Sequence, residues 1–182
     1  MNGFYNYNSV KIMEILTEIM FECNTLVKSQ KKMETKYKED GSPVTKADLE
    51  VDRYINEALN KIDPKTPIIS EENLSSENDF LLKRYWLIDP IDGTRSFING
   101  RDEYTINIAL IVNGVPIIGI IGHPPTNKVW RAGYGTANLI HKNGNSVNLQ
   151  NSKLKWVNPI ILTSYTINQE TKDFINSIQN SI

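Results

Sequence analysis

The sequence predicts an α/β layered fold: two N-terminal helices packed on a largely antiparallel sheet, followed by the start of a second α/β unit. Three observations carry this expectation. Apolar residues recur every three or four positions over Val10–Val27, the period of an amphipathic helix, and a second helical pattern runs from Thr45 to Ile62. From Pro67 onward the apolar residues instead form short runs, several of them alternating with polar residues, as in half-buried strands. Asn113-Gly114 then separates two such runs, which is the strongest short-range hairpin signal.

The first helix is expected over Val10–Val27, with Val10, Met13, Leu16, Met20, Cys23 and Val27 on its stripe and Asn8 or Ser9 as cap. Cys23 on that stripe reads as a small buried hydrophobe. The second helix runs from Thr45 through Asp48, Asp52, Ile55, Leu59 and Ile62. Asp63-Pro64 ends it, because the residue before proline avoids helical geometry. Between them, Lys28–Lys38 holds five lysines in eleven residues. That run suits a solvated helix C-terminus or the attraction of an anionic ligand. Strands are expected at Pro67–Ser70, Tyr85–Ile88, Tyr104–Val112, Val115–Ile121, Val129–Ala132, Thr136–Ile140 and Ser146–Leu149. Gln150–Lys155 reads as a linker, Pro159–Ser164 as a further strand and Asn168–Ile178 as a last helix.

Composition narrows the function classes. A chain of 182 residues with 40% hydrophobic and 23% charged residues is an ordinary globular sequence. Twenty Lys+Arg against 21 Asp+Glu leave no overall field to grip nucleic acid. The single cysteine excludes an internal disulfide and a multi-thiolate zinc site, and fits a reducing compartment. No apolar run approaches the roughly 20 residues of a membrane span, and Met1–Asn8 lacks the character of a signal peptide. The expected location is cytoplasmic. Glycine-rich nucleotide motifs are absent, and His123 and His141 lack metal-ligand spacing.

The acidic residues carry the chemistry. Asp89-Pro90-Ile91-Asp92-Gly93-Thr94 directly follows the apolar run Tyr85–Ile88. Two carboxylates three residues apart at a strand end can converge on one hard cation, and the turn brings the Ile91 carbonyl into the same space. Gly93 and Thr94 then offer backbone N–H groups to an anion. A plain strand-ending turn explains the same dipeptides. Ser70-Glu71-Glu72-Asn73 ends another short strand and reads alone as a solvated acidic loop. Thr45-Lys46-Ala47-Asp48 is close to a capping box, a structural role compatible with a catalytic one.

Taken in order, Ser42-Pro43-Val44-Thr45-Lys46-Ala47-Asp48, Ser70-Glu71-Glu72 and Asp89-Pro90-Ile91-Asp92-Gly93-Thr94 resemble the inositol monophosphatase superfamily of metal-dependent, lithium-sensitive phosphatases. The stretch Arg95-Ser96-Phe97-Ile98, then Glu103 to Ile111, and the approach Lys38 to Pro43 are most similar to its CysQ branch, the 3'(2'),5'-bisphosphate nucleotidases. The resemblance spans roughly Val10 to Ser164. It implies a sugar-phosphatase-like α+β fold and a Mg²⁺-dependent phosphomonoesterase converting adenosine 3',5'-bisphosphate to AMP and phosphate. Alternatives are an inositol-1-monophosphatase-like activity, and a truncated remnant that binds a metal or nucleotide without turnover.

Residue by residue, the resemblance implies that Glu71, Asp89 and the Ile91 carbonyl hold a first Mg²⁺. Asp89 and Asp92 share a second, which places Glu71, Ile91 and Asp92 beside the substrate too. Thr94, oriented by Asp48, helps activate the attacking water, and the Gly93 and Thr94 amides bind the phosphate. The resemblance further divides the chain into a metal-binding phosphatase domain, 1–155, and the truncated start of a C-terminal domain, 156–182. Family members carry a Trp-Asp segment in that domain, whereas none of Trp86, Trp130 and Trp156 precedes Asp. The expectations are an incomplete second metal site, weak turnover of a small phosphorylated nucleotide or sugar, and homodimer formation through Pro159–Ser164 as an uncovered edge strand.

Overall fold

The computed structural model describes residues 6–30, 35–38, 41, 43–73, 82–149 and 169–173. The chain divides into two units, Met1–Leu149 and Gln150–Ile182. In the second unit the described residues 169–173 are helical, with Gln169 Nε2 donating to Asp173 Oδ1 at 2.8 Å. The expected linker Gln150–Lys155, the strand Pro159–Ser164 and the rest of the last helix lie outside the described residues.

In the first unit, α1 spans Asn6–Ser29, so it starts before the expected caps Asn8 and Ser9. A short hairpin follows, β1 (Thr35–Tyr37) and β2 (Pro43–Thr45), pairing Thr35 with Thr45 and Tyr37 with Pro43. Helix α2, Lys46–Ile62, starts from the expected capping box: the Thr45 N–H donates to Asp48 Oδ2 at 2.8 Å, and the Asp48 N–H to Thr45 Oγ1 at 3.4 Å. Then come β3 (Ile68–Ser70), a 3₁₀ turn at Glu71–Asn73, β4 (Arg84–Asp92) and α3 (Thr94–Ile98). A meander completes the unit: β5 (Thr105–Val112), β6 (Val115–His123), β7 (Lys128–Gly133), β8 (Thr136–His141) and β9 (Ser146–Asn148).

Among the described residues, β3 to β9 form one sheet in sequence order, antiparallel throughout except for the parallel pair β3–β4. Asn113 and Gly114 both take positive φ, as a type I′ turn between β5 and β6 requires. Both long helices cover one face of this sheet. Leu16, Met20 and Cys23 from α1 and Val51, Ile55 and Leu59 from α2 are buried against Trp86, Ile88, Ile106, Ile108, Leu110 and Ile118. Each such side chain contributes about 1.5–3 kcal/mol on leaving water. Burial also pushes the Cys23 thiol pKa up, which suits a packing role and not a nucleophile.

The alternation of β5 puts Tyr104, Ile106, Ile108, Leu110 and Val112 on one face, all packed in the core under the helices. Ile111, between Leu110 and Val112, is accordingly buried on the opposite face with Ile69 and Tyr85. The register with β6 shifts between Leu110 and Ile111.

Helix α1 approaches β6 closely at Gly122. A Cβ there would lie 2.3 Å from Met20 Sδ and 2.7 Å from Asn24 Oδ1, both on fully buried side chains. We therefore expect Gly122→Ala to cost about 1–3 kcal/mol in a denaturant titration through overpacking. A change within error of zero would mean that Met20 repacks freely.

Candidate active site

Strand β4 does more than precede the acidic hexapeptide: it runs through Asp89 and Pro90 to Asp92. Along an ideal strand, residues three apart point to opposite faces. Here Asp89 pairs with Asn107 and Asp92 with Thr105, so three steps on β4 oppose two on β5. This bulge inserts one residue, returns Asp92 to the face of Asp89, and leaves Ile91 1% exposed in the core. It also accommodates Pro90, which cannot donate to a ladder.

Glu71, Asp89 and Asp92 consequently line one open cavity of about 750 Å³ on the sheet face away from the two long helices. Leu87, Ala109 and Ile121 form its apolar wall, and Asn107 donates from Nδ2 to Asp92 Oδ2 at 3.3 Å. Glu71 enters from the 3₁₀ turn after β3. Asp52 anchors that turn from α2, accepting a hydrogen bond from Ser70 Oγ and one from Asn73 Nδ2 at 3.1 Å.

Thr94, Asp48 and the Ile91 carbonyl meet beside the carboxylates. Thr94 Oγ1 lies 2.9 Å from the Ile91 oxygen and 3.3 Å from Asp48 Oδ1, so one hydroxyl proton has two acceptors. Asp48 is fully buried. Burial raises its pKa, opposed by the hydrogen bonds from Thr45 and Thr94. Gly93 precedes α3 with φ +90°, and a Cβ on it would lie 2.7 Å from the Glu103 carbonyl oxygen.

The electrostatics report a concentration of negative charge. Burial pushes the Asp89 carboxyl up to about 7, helped by Asp92, Glu71 and Asp48 and opposed by Lys38. Burial and Glu71 likewise push Glu72 up to about 7. Lys38 Nζ lies 2.7 Å from Glu71 Oε1 and 3.1 Å from Glu72 Oε1. Burial works to lower the Lys38 pKa, but its bonds to Glu71 and Glu72 outweigh that and raise it.

The donor set fits a hard divalent cation. It consists of oxygens, and Asp89 Oδ1 is buried without a hydrogen-bond partner among the described residues. No three His, Cys, Asp or Glu side chains among the described residues are gathered closely enough to hold a metal ion as they stand, and Glu71 lies against Lys38. Of the contributors, Lys38, Glu72, Asp52 and Asn107 were not singled out by sequence reasoning as site residues. Asp52 had a signal: a carboxylate one turn after Asp48 on an apolar helix stripe.

In metal-free protein, Asp89 and Glu72 hold protons more tightly folded than unfolded. Their favourable contribution is thus complete below about pH 4 and is lost as pH rises through about 7. With chelator present, melting scans from pH 5 to pH 8 should show the melting temperature falling across this window. Asp89→Asn should flatten the fall; an unchanged slope would disprove the assignment.

Comparison with known proteins converges on one group. The inositol monophosphatase family model matches residues 6–181. The 3'(2'),5'-bisphosphate nucleotidase CysQ of Buchnera aphidicola is 35% identical over 158 residues, covering 85% of this chain and 58% of the relative. CysQ of Escherichia coli K12 is 42% identical over 108 residues, covering 59% of this chain and 44% of the relative. The chain therefore spans about half the length of the curated relatives it matches. Two solved structures share the fold: CysQ from Bacteroides thetaiotaomicron (TM-score 0.63, 21% identity, 98% of this chain and 71% of that one) and the Thermotoga maritima inositol monophosphatase TM1415 (0.64, 20%, 93% and 65%). No helix among the described residues is long and apolar enough to cross a membrane.

Proposed function

The chain belongs to the inositol monophosphatase family, and from that premise we propose that it is a Mg²⁺-dependent phosphomonoesterase removing the 3'-phosphate of adenosine 3',5'-bisphosphate, giving AMP and phosphate. The observation that carries this reading is the β4 bulge, which sets Asp89 and Asp92 on one cavity wall with Glu71, next to the Thr94–Asp48 pair. The CysQ relatives support the choice of substrate.

In this reading Glu71, Asp89 and the Ile91 carbonyl would hold one Mg²⁺, and Asp89 and Asp92 would hold another. Bound Mg²⁺ lowers the pKa of the attacking water and offsets charge on the leaving oxygen. The chain's own residues do the rest. With its hydroxyl proton on the Asp48 side, the Thr94 oxygen can accept from the attacking water, and the Ile91 carbonyl, no longer bound by Thr94, would be open to act as a ligand. Asp48 stays in place through the Thr45 cap, and Asn107 steadies Asp92. The Gly93 and Thr94 amides face the phosphate, because the first amides of a helix have no partner within it.

Phosphate release from adenosine 3',5'-bisphosphate and from inositol 1-phosphate, with Mg²⁺ and with chelator, tests the proposal. Lithium-sensitive, Mg²⁺-dependent release with AMP as product is expected. Release from the inositol ester alone would move the assignment to an inositol monophosphatase-like activity. Mg²⁺ uptake without release from either would leave a binding protein without turnover.

A further inference from the structure

Lys38 is tied into the site more firmly than a surface lysine. It follows β1 directly, and β2 of the same hairpin ends in Thr45, the cap of α2. The capping box and the hairpin register therefore fix where Lys38 starts. Its ammonium bridges two adjacent carboxylates with its side chain only 24% exposed, and the side chain of Glu72 beneath it is 3% exposed. One of those carboxylates, Glu71, faces the cavity of Asp89 and Asp92. The same ammonium also opposes the burial and carboxylate repulsion that together raise the Asp89 pKa.

We propose that Lys38 is a built-in counter-cation: in the metal-free protein it occupies Glu71, and a divalent cation binds only as Lys38 gives that carboxylate up. This rests on the metal-site reading above. Like charges cannot share one carboxylate at close range without strong repulsion. In the metal-free protein the ammonium also stabilises charge at Glu72, which burial and Glu71 otherwise disfavour. Binding of the cation supplies positive charge to Glu71 in place of the ammonium, so Lys38 and the metal hold that carboxylate in turn. The consequence is an opposed pair of effects: losing Lys38 weakens the metal-free fold and tightens metal binding.

The test uses the full chain and Mg²⁺ or Mn²⁺ alone, by isothermal titration and by melting with chelator or saturating metal. Lys38→Met should melt earlier than wild type in chelator, recover most of the difference at saturating metal, and bind Mn²⁺ about five- to tenfold more tightly. Lys38→Arg keeps the charge and should stay near wild type in affinity. Lys46→Met removes an exposed lysine paired with Glu50 and should leave affinity unchanged. Unchanged or weaker binding by Lys38→Met overturns the proposal, as does equal tightening by Lys46→Met, which would reduce the effect to overall charge. Metal uptake by wild type with no gain in Lys38→Met removes this inference alone. No uptake by wild type removes the metal-site reading with it.

Discussion

Asp92→Asn should lower Mg²⁺-dependent phosphate release by about 10²–10³-fold, equivalent to about 3–4 kcal/mol of lost transition-state stabilisation. Its melting temperature should stay within about 2 °C of wild type. Asp92 is exposed, and among the described residues its side chain accepts a hydrogen bond only from Asn107, at 3.3 Å, so the fold asks little of its charge. The proposed site asks much more, because Asp92 is the carboxylate that the bulge returns to the side of Asp89. Steady-state kinetics beside a thermal melt separates the two roles. An undiminished rate in this variant would reduce the hexapeptide to a turn.

Gly93→Ala should produce the largest structural effect, about 2–4 kcal/mol of destabilisation. Two costs coincide there. The residue holds φ +90°, which only glycine adopts at ease, and a Cβ would sit 2.7 Å from the Glu103 carbonyl oxygen and 3.3 Å from Tyr104 Cα. Both neighbours are backbone, so neither can swing aside as a side-chain tip would. Gly100→Ala is the control, since Gly100 has φ +67° with nothing within 4 Å of its Cβ position. If the two variants melt alike, the close approach contributes nothing and only the backbone conformation matters. Because Gly93 leads directly into Thr94, the Ala variant should also lose activity beyond what its stability explains, measured well below its melting temperature.

Element types were legible because they follow from local partition between water and core. The stripe Asp48, Asp52, Ile55 and Leu59 marked α2, and Asp63-Pro64 marked its end, which the structure places at Ile62. The turn dipeptide Asn113-Gly114 announced the β5–β6 hairpin for an equally local reason, its two positive φ angles. What local patterning did not mark was the β1–β2 hairpin, because Thr35–Tyr37 lies in a lysine-rich run without alternation and is a strand through its pairing with Pro43–Thr45.

By itself, then, the sequence determined the two long helices and the strands of the main sheet, though not the β1–β2 hairpin, α3 or the run of β4 beyond Ile88, and it named the acidic blocks at Asp48, Glu71 and Asp89–Thr94. Periodicity and capping are properties of contiguous residues, so a single chain displays them. Only the tertiary structure decided that Asp89 and Asp92 share a face, since strand geometry alone would set them back to back and one extra residue against β5 reverses that. It likewise decided that Lys38, apparently one cation in a solvated run, reaches Glu71 and Glu72, and that Asp52 holds their turn. Those contacts join residues 18 to 34 positions apart. Pairings at that range depend on how sheet register and helix packing position whole elements, and no local pattern of side chains encodes them.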